Sequence, residues 1–422
     1  MAFIFVVSNL KLEMNKPCVF YFNPTCELAV ANGSFSYMPP LLLQEMERDL
    51  AVLPFVFGTS TDFVWTENPP TDEFSRKMQD SGFEMPVFAG LAQLESLSKG
   101  TYAGLCPWGW SPAAHFKLKN LKSNCSEEFK QSPVFEWKEE HQLLFERSTS
   151  LDVLSELVSQ NRFPWLIESS MTGKRVTGFS EIELLLEQHQ AVVLKAPLSS
   201  SGRGIQIIRR KNLNNSNKQW ISGILKQQKY LIAEPFLEKL SDLSFQFQVK
   251  GPSDLRYLGY SLFETNANGQ YRGTLIHPDL KHIPMFGSGA ELEEMIQAAA
   301  ETIRKALVNT VYSTFYRGFL GVDALLFSQQ GKLMIQPCIE INCRMNMGIL
   351  TMLLESKIHP DAVGKFELYY GSTGEYSRYA AEQIQQNQPV FQNGKIRSGF
   401  LSLVEPDQQK KFGAYISLAE AR

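Results

Sequence analysis

The residues most capable of chemistry lie in the run AVVLKAPLSSSGRGIQII, residues 191–208. Ala191 to Leu194 is a continuous apolar run of the kind that forms a buried strand, and Lys195 stands at its end. Ser199, Ser200, Ser201, Gly202, Arg203 and Gly204 follow, and Ile205 to Ile208 reads as a second strand. Glycine lets backbone N–H groups close around phosphate oxygens, while serine hydroxyls and an arginine add donors, so the ligand implied is a polyphosphate. A Walker A loop and a dinucleotide fingerprint both open a helix, and this loop runs instead into Ile-Gln-Ile-Ile. An ordinary hairpin with an SGRG turn is the alternative reading of this stretch by itself.

A second stretch, GFLGVDALLFSQQGKLMIQPCIEINCRMNMG, residues 318–348, reads as strand, turn at Gln330-Gly331, strand. Asp323 interrupts the first strand, and Glu340 and Asn342 interrupt the second with one residue between them. Period-two geometry puts Glu340 and Asn342 on one face, and hairpin pairing can bring Asp323 alongside. Two carboxylates and an amide are hard oxygen ligands that suit Mg²⁺ when nucleotide phosphates complete its coordination. Arg344 continues that face, where it can neutralise charge on a transferring phosphoryl group. The competing reading is two solvent-facing acids opposite lysines, but the flanks are apolar and buried acids need a counter-ion.

Between these stretches, YLIAEPFLEKLSDLSFQFQV carries a strand ending at Glu234-Pro235 and a second strand from Leu243. A Pro-containing link between two lobes is a natural hinge whose backbone can read an adenine edge. Glu234 then sits beside the base, and Asp242 is placed for ribose hydroxyls or is simply a surface acid. LRYLGYSLFET and GQYRGTLI form a hairpin over Asn266 to Gly269, and Arg272 emerges from it on a strand.

These groups need elements to position them. From Cys18 the chain alternates strand-like and helix-like runs: CVFYF, LLLQEMERDL, AVLPFVFG, DFVWT and MPVFAG, the rhythm of a small α/β domain. Two of its loops hold polar or aromatic interest, residues 23–34 (NPTCELAVANGS) and 106–117 (CPWGWSPAAHFK). The first follows the first strand, where open α/β sheets commonly bind ligands; in the second, Trp108 and Trp110 form either a substrate wall or a packing plug. Residues 118–163 read as helical and polar, with Arg147 the residue to watch. WLIESS reads as a strand, EIELLLEQHQ as a helix capped by Ser180, and residues 291–307 as a long structural helix. Late runs IRSGFLSLVEP and KFGAYISLAE read as strands that close one edge of a sheet.

Composition bounds the partners. At 422 residues and 44% hydrophobic the chain can bury one large core or two to three linked domains. A net charge of -3 advertises neither nucleic acid nor an anionic membrane. Six cysteines without CxxC pairing read as free thiols in a reducing cytoplasm. The N-terminal MAFIFVVSNLKLEMN fits neither a signal peptide nor a membrane span, and residues 1–13 read as a dispensable extension.

Taken together, VVLKAPLSSSGRGI, LIAEPFLEKLSDLSF, GVDALLF and CIEINCRMNMG resemble, in order, the motifs of the ATP-grasp superfamily over residues 140–355. The resemblance implies an α+β fold with two lobes of antiparallel sheet gripping ATP, preceded by a small pre-ATP-grasp α/β domain. The expected division is 14–120 for that domain and 121–375 for the ATP-grasp domain, with a small lobe at 165–237 and a large lobe at 238–375. Residues 376–422 are a C-terminal extension. By resemblance, Lys195 meets the nucleotide phosphates beneath a flap of Ser199, Ser200, Ser201, Gly202, Arg203 and Gly204. Glu234 and Phe236 form the adenine hinge and Asp242 the ribose acid. Asp323, Glu340 and Asn342 hold Mg²⁺ or Mn²⁺, and Arg344, with Lys195 and Arg272, serves catalysis. The family's earlier lysine on the nucleotide has no counterpart here other than Arg147 or Lys174.

The activity this implies is a carboxylate–amine ligase: ATP phosphorylates a small-molecule or peptide carboxylate, and an amine or other nucleophile attacks the acyl phosphate. Such chemistry is positioning and charge neutralisation, in keeping with a site without a nucleophilic side chain. A kinase on the same fold and a nucleotide-binding regulatory protein are the alternatives. Neither a nucleic acid nor a membrane is expected as partner, and oligomeric state is left open.

Overall fold

The computed structural model describes residues 16–199, 204–209, 213–266, 269–283 and 289–420. The N-terminal extension expected at 1–13 lies outside them. Three sheets organise the rest. The first is parallel, in the order β3-β2-β1-β4, and consists of β1 (Cys18–Tyr21), β2 (Phe63–Trp65), β3 (Val87–Ala89) and β4 (Gly104–Pro107). Crossover segments cover such a sheet, which is why β1 and β2 are apolar at nearly every position. The apolar run AVLPFVFG does not supply the strand expected of it: Leu53–Val56 form a 3₁₀ turn. Pro54 fixes φ and offers no N–H to a ladder, so the run serves the core instead, with Phe55 on Phe83 and Phe57 on Trp108.

The second sheet is antiparallel, β5-β8-β6-β7, built from β5 (Lys174–Val176), β6 (Ala191–Lys195), β7 (Ile205–Arg209) and β8 (Leu231–Pro235). WLIESS, expected as a strand ahead of it, is not one. Leu166 makes a lone bridge to Ile335, and Ser169–Met171 turn as 3₁₀, because Glu168, Ser169 and Ser170 are exposed and give no buried face to pair. Residues 118–163 are likewise less helical than expected: Arg147–Gln160 is the long helix, and Glu127–Lys130 and 3₁₀ turns fill the remainder around Pro133.

The third sheet has nine antiparallel strands in the order β13-β12-β9-β10-β11-β14-β17-β16-β15. They are β9 (Glu238–Val249), β10 (Leu255–Thr265), β11 (Tyr271–Ile276), β12 (Gly318–Gln329), β13 (Lys332–Asn342), β14 (Ala362–Tyr370), β15 (Val390–Gln392), β16 (Lys395–Ser402) and β17 (Phe412–Glu420). On β9, Leu243, Phe245, Phe247 and Val249 join one apolar core, into which the helix Gly289–Leu307 also sends Leu292, Ile296, Ile303 and Leu307. The alternate residues Ser244, Gln246 and Gln248 face the other way, so one strand separates a core from a polar working face. The β12–β13 hairpin turns at Gln330 and Gly331, both at positive φ, as its sequence leads one to expect. All six cysteines are unpaired, and among the described residues no helix is long and apolar enough to cross a membrane.

Residues 376–422 extend this sheet through β15, β16 and β17, with β17 paired to β14 along its whole length. Gly364 on β14 lies so close to β17 that a Cβ there would land on the Ser417 carbonyl oxygen. Because that obstacle is backbone, Gly364→Ala is expected to lower stability by about 2 kcal/mol, read from the denaturation midpoint; an unchanged midpoint would mean that β17 does not seat on β14 in solution.

Candidate active site

The working face of the large sheet carries a row of paired polar residues. Ser244 on β9, Asp323 on β12 and Glu340 on β13 are direct cross-strand partners. Ser244 Oγ donates to Asp323 Oδ1 at 2.8 Å, and Asn342 Nδ2 donates to Asp323 Oδ2 at 3.0 Å. Burial, and then the neighbouring Glu340 charge, push the Asp323 carboxyl up to about 7, against the pull of these hydrogen bonds and Arg344. Among the described residues no third His, Cys, Asp or Glu joins the pair to complete a metal cluster, so any cation here relies on Asn342 and on ligand oxygens.

Arg147 opens the helix Arg147–Gln160 and is 4% exposed. Its Nη2 meets Glu340 Oε1 at 3.0 Å. Its Nη1 donates to the Ala196 carbonyl at 2.8 Å and to Ser199 Oγ, and its backbone N–H donates to Pro197 O at 3.0 Å. One guanidinium therefore joins the acidic row to the foot of the serine-glycine loop. Lys195, at the end of β6 and 5% exposed, pairs with Glu234 Oε2 on β8 at 2.6 Å. Gly204 accepts the Ala196 N–H, and a Cβ on Gly204 would strike Ser199, so glycine is required where the loop returns. Ser200, Ser201, Gly202 and Arg203 lie outside the described residues.

Phe236 is 42% exposed between β8 and β9, tied back by its N–H to Ala191 O. Asp242 lies two residues before Ser244 on the same face of β9, held by Lys239 Nζ at 2.7 Å and Thr265 Oγ1 at 2.8 Å. Arg272 is exposed on β11, and among the described residues no contact joins it to the acidic row. Lys174 is exposed on β5.

Arg344 follows β13 and is where the segments after the parallel strands enter. Its Nε donates to Glu27 Oε1 at 2.7 Å and its Nη2 to Asn342 Oδ1 at 3.0 Å. Burial works against its charge, yet the Glu27 carboxylate holds its pKa above the ordinary value. Glu27 is in the first turn of Cys26–Asn32, directly after β1, and Gly109, after β4, bridges to Arg344. Asn23 clamps that second loop, with Nδ2 to Gly109 O at 2.7 Å. Both loops singled out in the sequence thus converge on Arg344, at the carboxyl ends of parallel strands. Trp108 and Trp110 are both buried, Trp108 against Phe22 and Phe57 as a packing plug.

Sequence reasoning did not name Glu27, Asn23 or Ser244. Glu27 and Asn23 sit in a stretch marked only by its place after the first strand, and Ser244 is visible only through strand register.

No protein-family model and no curated protein sequence matches the chain. Solved structures do. Biotin carboxylase from Campylobacter jejuni, as a β,γ-ATP complex, is similar over 96% of this chain and 88% of its own, with TM-score 0.52 and 12% identity. Rhizobium etli pyruvate carboxylase is similar over 96% of this chain and 36% of its own, with TM-score 0.51 and 10% identity. The fold of this chain is the ATP-grasp fold, with two antiparallel sheets and one parallel sheet.

Because Asp323 keeps its proton in the fold to about pH 7 but loses it near the ordinary carboxylate value when unfolded, the native state binds more protons between. Its contribution to stability is therefore lost as pH rises through that window. Asp323→Asn should flatten the slope, removing on the order of 1 to 3 kcal/mol of difference between pH 5 and pH 8 after solvent screening. Chemical denaturation at both pH values reads it, and an identical slope in the variant would contradict the assignment.

Proposed function

We propose that this chain, on its ATP-grasp fold, uses ATP to activate a substrate carboxylate as an acyl phosphate for attack by an amine or other nucleophile. The observation that carries the reading is the meeting of Arg147, Asp323, Glu340, Asn342 and Arg344 from three parts of the fold on one sheet face. The biotin carboxylase neighbour, solved as a β,γ-ATP complex, supports it.

In this reading β9 is the ruler for the nucleotide. Phe236 and the backbone beside Glu234 take the adenine at the strand's start, Asp242 takes the ribose, and the triphosphate lies over Ser244 and Asp323. A strand rises about 3.3 Å per residue, so the two-residue step from Asp242 to Ser244 covers roughly 7 Å, a sugar-to-phosphate distance. Lys195 and Arg147 are the phosphate cations, with Arg147 in the role for which the family uses an earlier lysine. Both are paired to acids in the fold as it stands, Lys195 with Glu234 and Arg147 with Glu340. Ligand binding exchanges those partners, and Arg147 passes the change to the foot of the loop through Ala196, Pro197 and Ser199.

The hard oxygens of Asp323, Glu340 and Asn342 suit Mg²⁺, or Mn²⁺, which when bound would supply charge neutralisation for the nucleotide phosphates. Arg344, fixed by Glu27 and Asn342, faces the γ-phosphoryl group as it passes to the substrate carboxylate oxygen, leaving ADP. The nucleophile then attacks the acyl carbon and releases phosphate. The protein's contribution is orientation and electrostatics. Arg272, exposed on β11, is assigned to the substrate side, and unpaired cysteines favour a reducing cytoplasm.

Mg-ATP should raise the melting temperature of the wild type, since a ligand of the folded state stabilises by mass action. Glu340→Gln should shrink that rise and cut ADP release about 100-fold or more with the fold intact by circular dichroism. Arg147→Ala should raise the KM for ATP. ADP release at the wild-type rate in Glu340→Gln would sink the proposal, and a stable phosphorylated product formed without a second substrate would make the enzyme a kinase.

A further inference from the structure

Beyond the row of acids, a cavity of about 560 Å³ opens between edge strand β4, residues 128–134 and the ends of β9 and β12. Trp110, Phe129, Tyr316 and Phe319 give it aromatic walls. Gln248 lines it while only 4% exposed. No hydrogen bond ties the Gln248 carboxamide to another described residue, and it is not among the polar atoms sealed from solvent, so it opens onto the cavity.

The contrast with Gln246, two residues earlier on the same face, is informative. Gln246 donates to Ser244 Oγ at 3.0 Å and accepts from Asn346 Nδ2 at 2.9 Å, so it is satisfied within the fold. Register places it opposite Gly321, between the Asp323 row and the row of Gln248 and Phe319. The Gln246–Asn346 pair therefore lies between the acids and the cavity. The Gln248 amide, by contrast, is left to bond whatever fills the cavity.

Charge indicates what that is. Lys250 and Arg317 line the cavity, and Glu128 is its one acid. Lys250 is exposed, with no carboxylate partner among the described residues, and Arg317 Nη1 donates to the Ser313 and Tyr316 carbonyls, which leaves its charge uncompensated. Flat apolar walls, an amide offering both a donor and an acceptor, and a surplus of cations select a planar ring bearing an anionic group.

We propose that this cavity is a second small-molecule site, separate from the nucleotide face, for an aromatic carboxylate: its ring lies against Trp110 and Phe129, its polar edge bonds Gln248, and its charge faces Lys250 and Arg317. The site stands whether or not the ligase reading holds, since none of its residues serves that chemistry.

The test titrates indole-3-acetate into the full-length protein by calorimetry, with indole-3-acetamide as the neutral control and Mg-ATP as a competitor. Saturable binding of the acid, weaker binding of the amide and no displacement by Mg-ATP are expected. Gln248→Leu should weaken the acid about tenfold or more, because the polar edge of the ring loses its donor and acceptor. Lys250→Glu should weaken it as well. The proposal is overturned by absence of saturable binding, by equal affinity for the amide, by displacement with Mg-ATP, or by unchanged binding in Gln248→Leu.

Discussion

The structure turns on two carboxylates that strand pairing forces to face each other. Asp323 and Glu340 are direct partners on β12 and β13, and like charges directly opposite on a sheet repel. The sheet itself offers only partial relief, a hydroxyl from Ser244 and an amide from Asn342. The cations must come from elsewhere. Arg147 arrives from the helix that packs on β13, and Arg344 arrives from the segment after β13, aligned by Glu27 from the helix after β1. The pair of acids therefore draws together a helix, the segment after β13 and, through Glu27, the parallel sheet.

The contacts between the parallel-sheet region and the segment after β13 are close. Gly109 bridges to Arg344, Met345 N–H bonds Trp108 O, and Asn23 clamps Gly109. A Cβ on Gly109 would collide with Cys26 Sγ and press on Arg344. The close approach needs glycine for want of space, with no special dihedral involved. The small sheet is attached differently, through the Phe236–Leu237 link, through Ile232 in the shared apolar core and through Arg147, which bonds the Ala196 carbonyl.

Local signals that rest on periodicity or turn chemistry were legible. The β12–β13 hairpin follows from Gln330-Gly331 between alternating runs, and period two alone puts Glu340 and Asn342 on one face. The apolar run around Pro54 was not, because burial and strand pairing leave the same hydrophobic signature and only proline's missing donor separates them. The stretch WLIESS failed for the opposite reason: past one bridge from Leu166 to Ile335, exposed Glu168, Ser169 and Ser170 present no buried face to pair and turn as 3₁₀.

By itself, then, the sequence determined which short segments could hold chemistry: a lysine at a strand end before a serine-glycine loop, and acids interrupting apolar strands. Those are properties of neighbours in the chain, written in periods of two and in glycine's freedom. Tertiary structure decided which charges meet. The Arg147–Glu340, Arg344–Glu27 and Lys195–Glu234 pairs join residues 193, 317 and 39 positions apart by their numbers in the chain. No local pattern encodes such distances, because they are set by how three sheets close on one another once their apolar faces are buried.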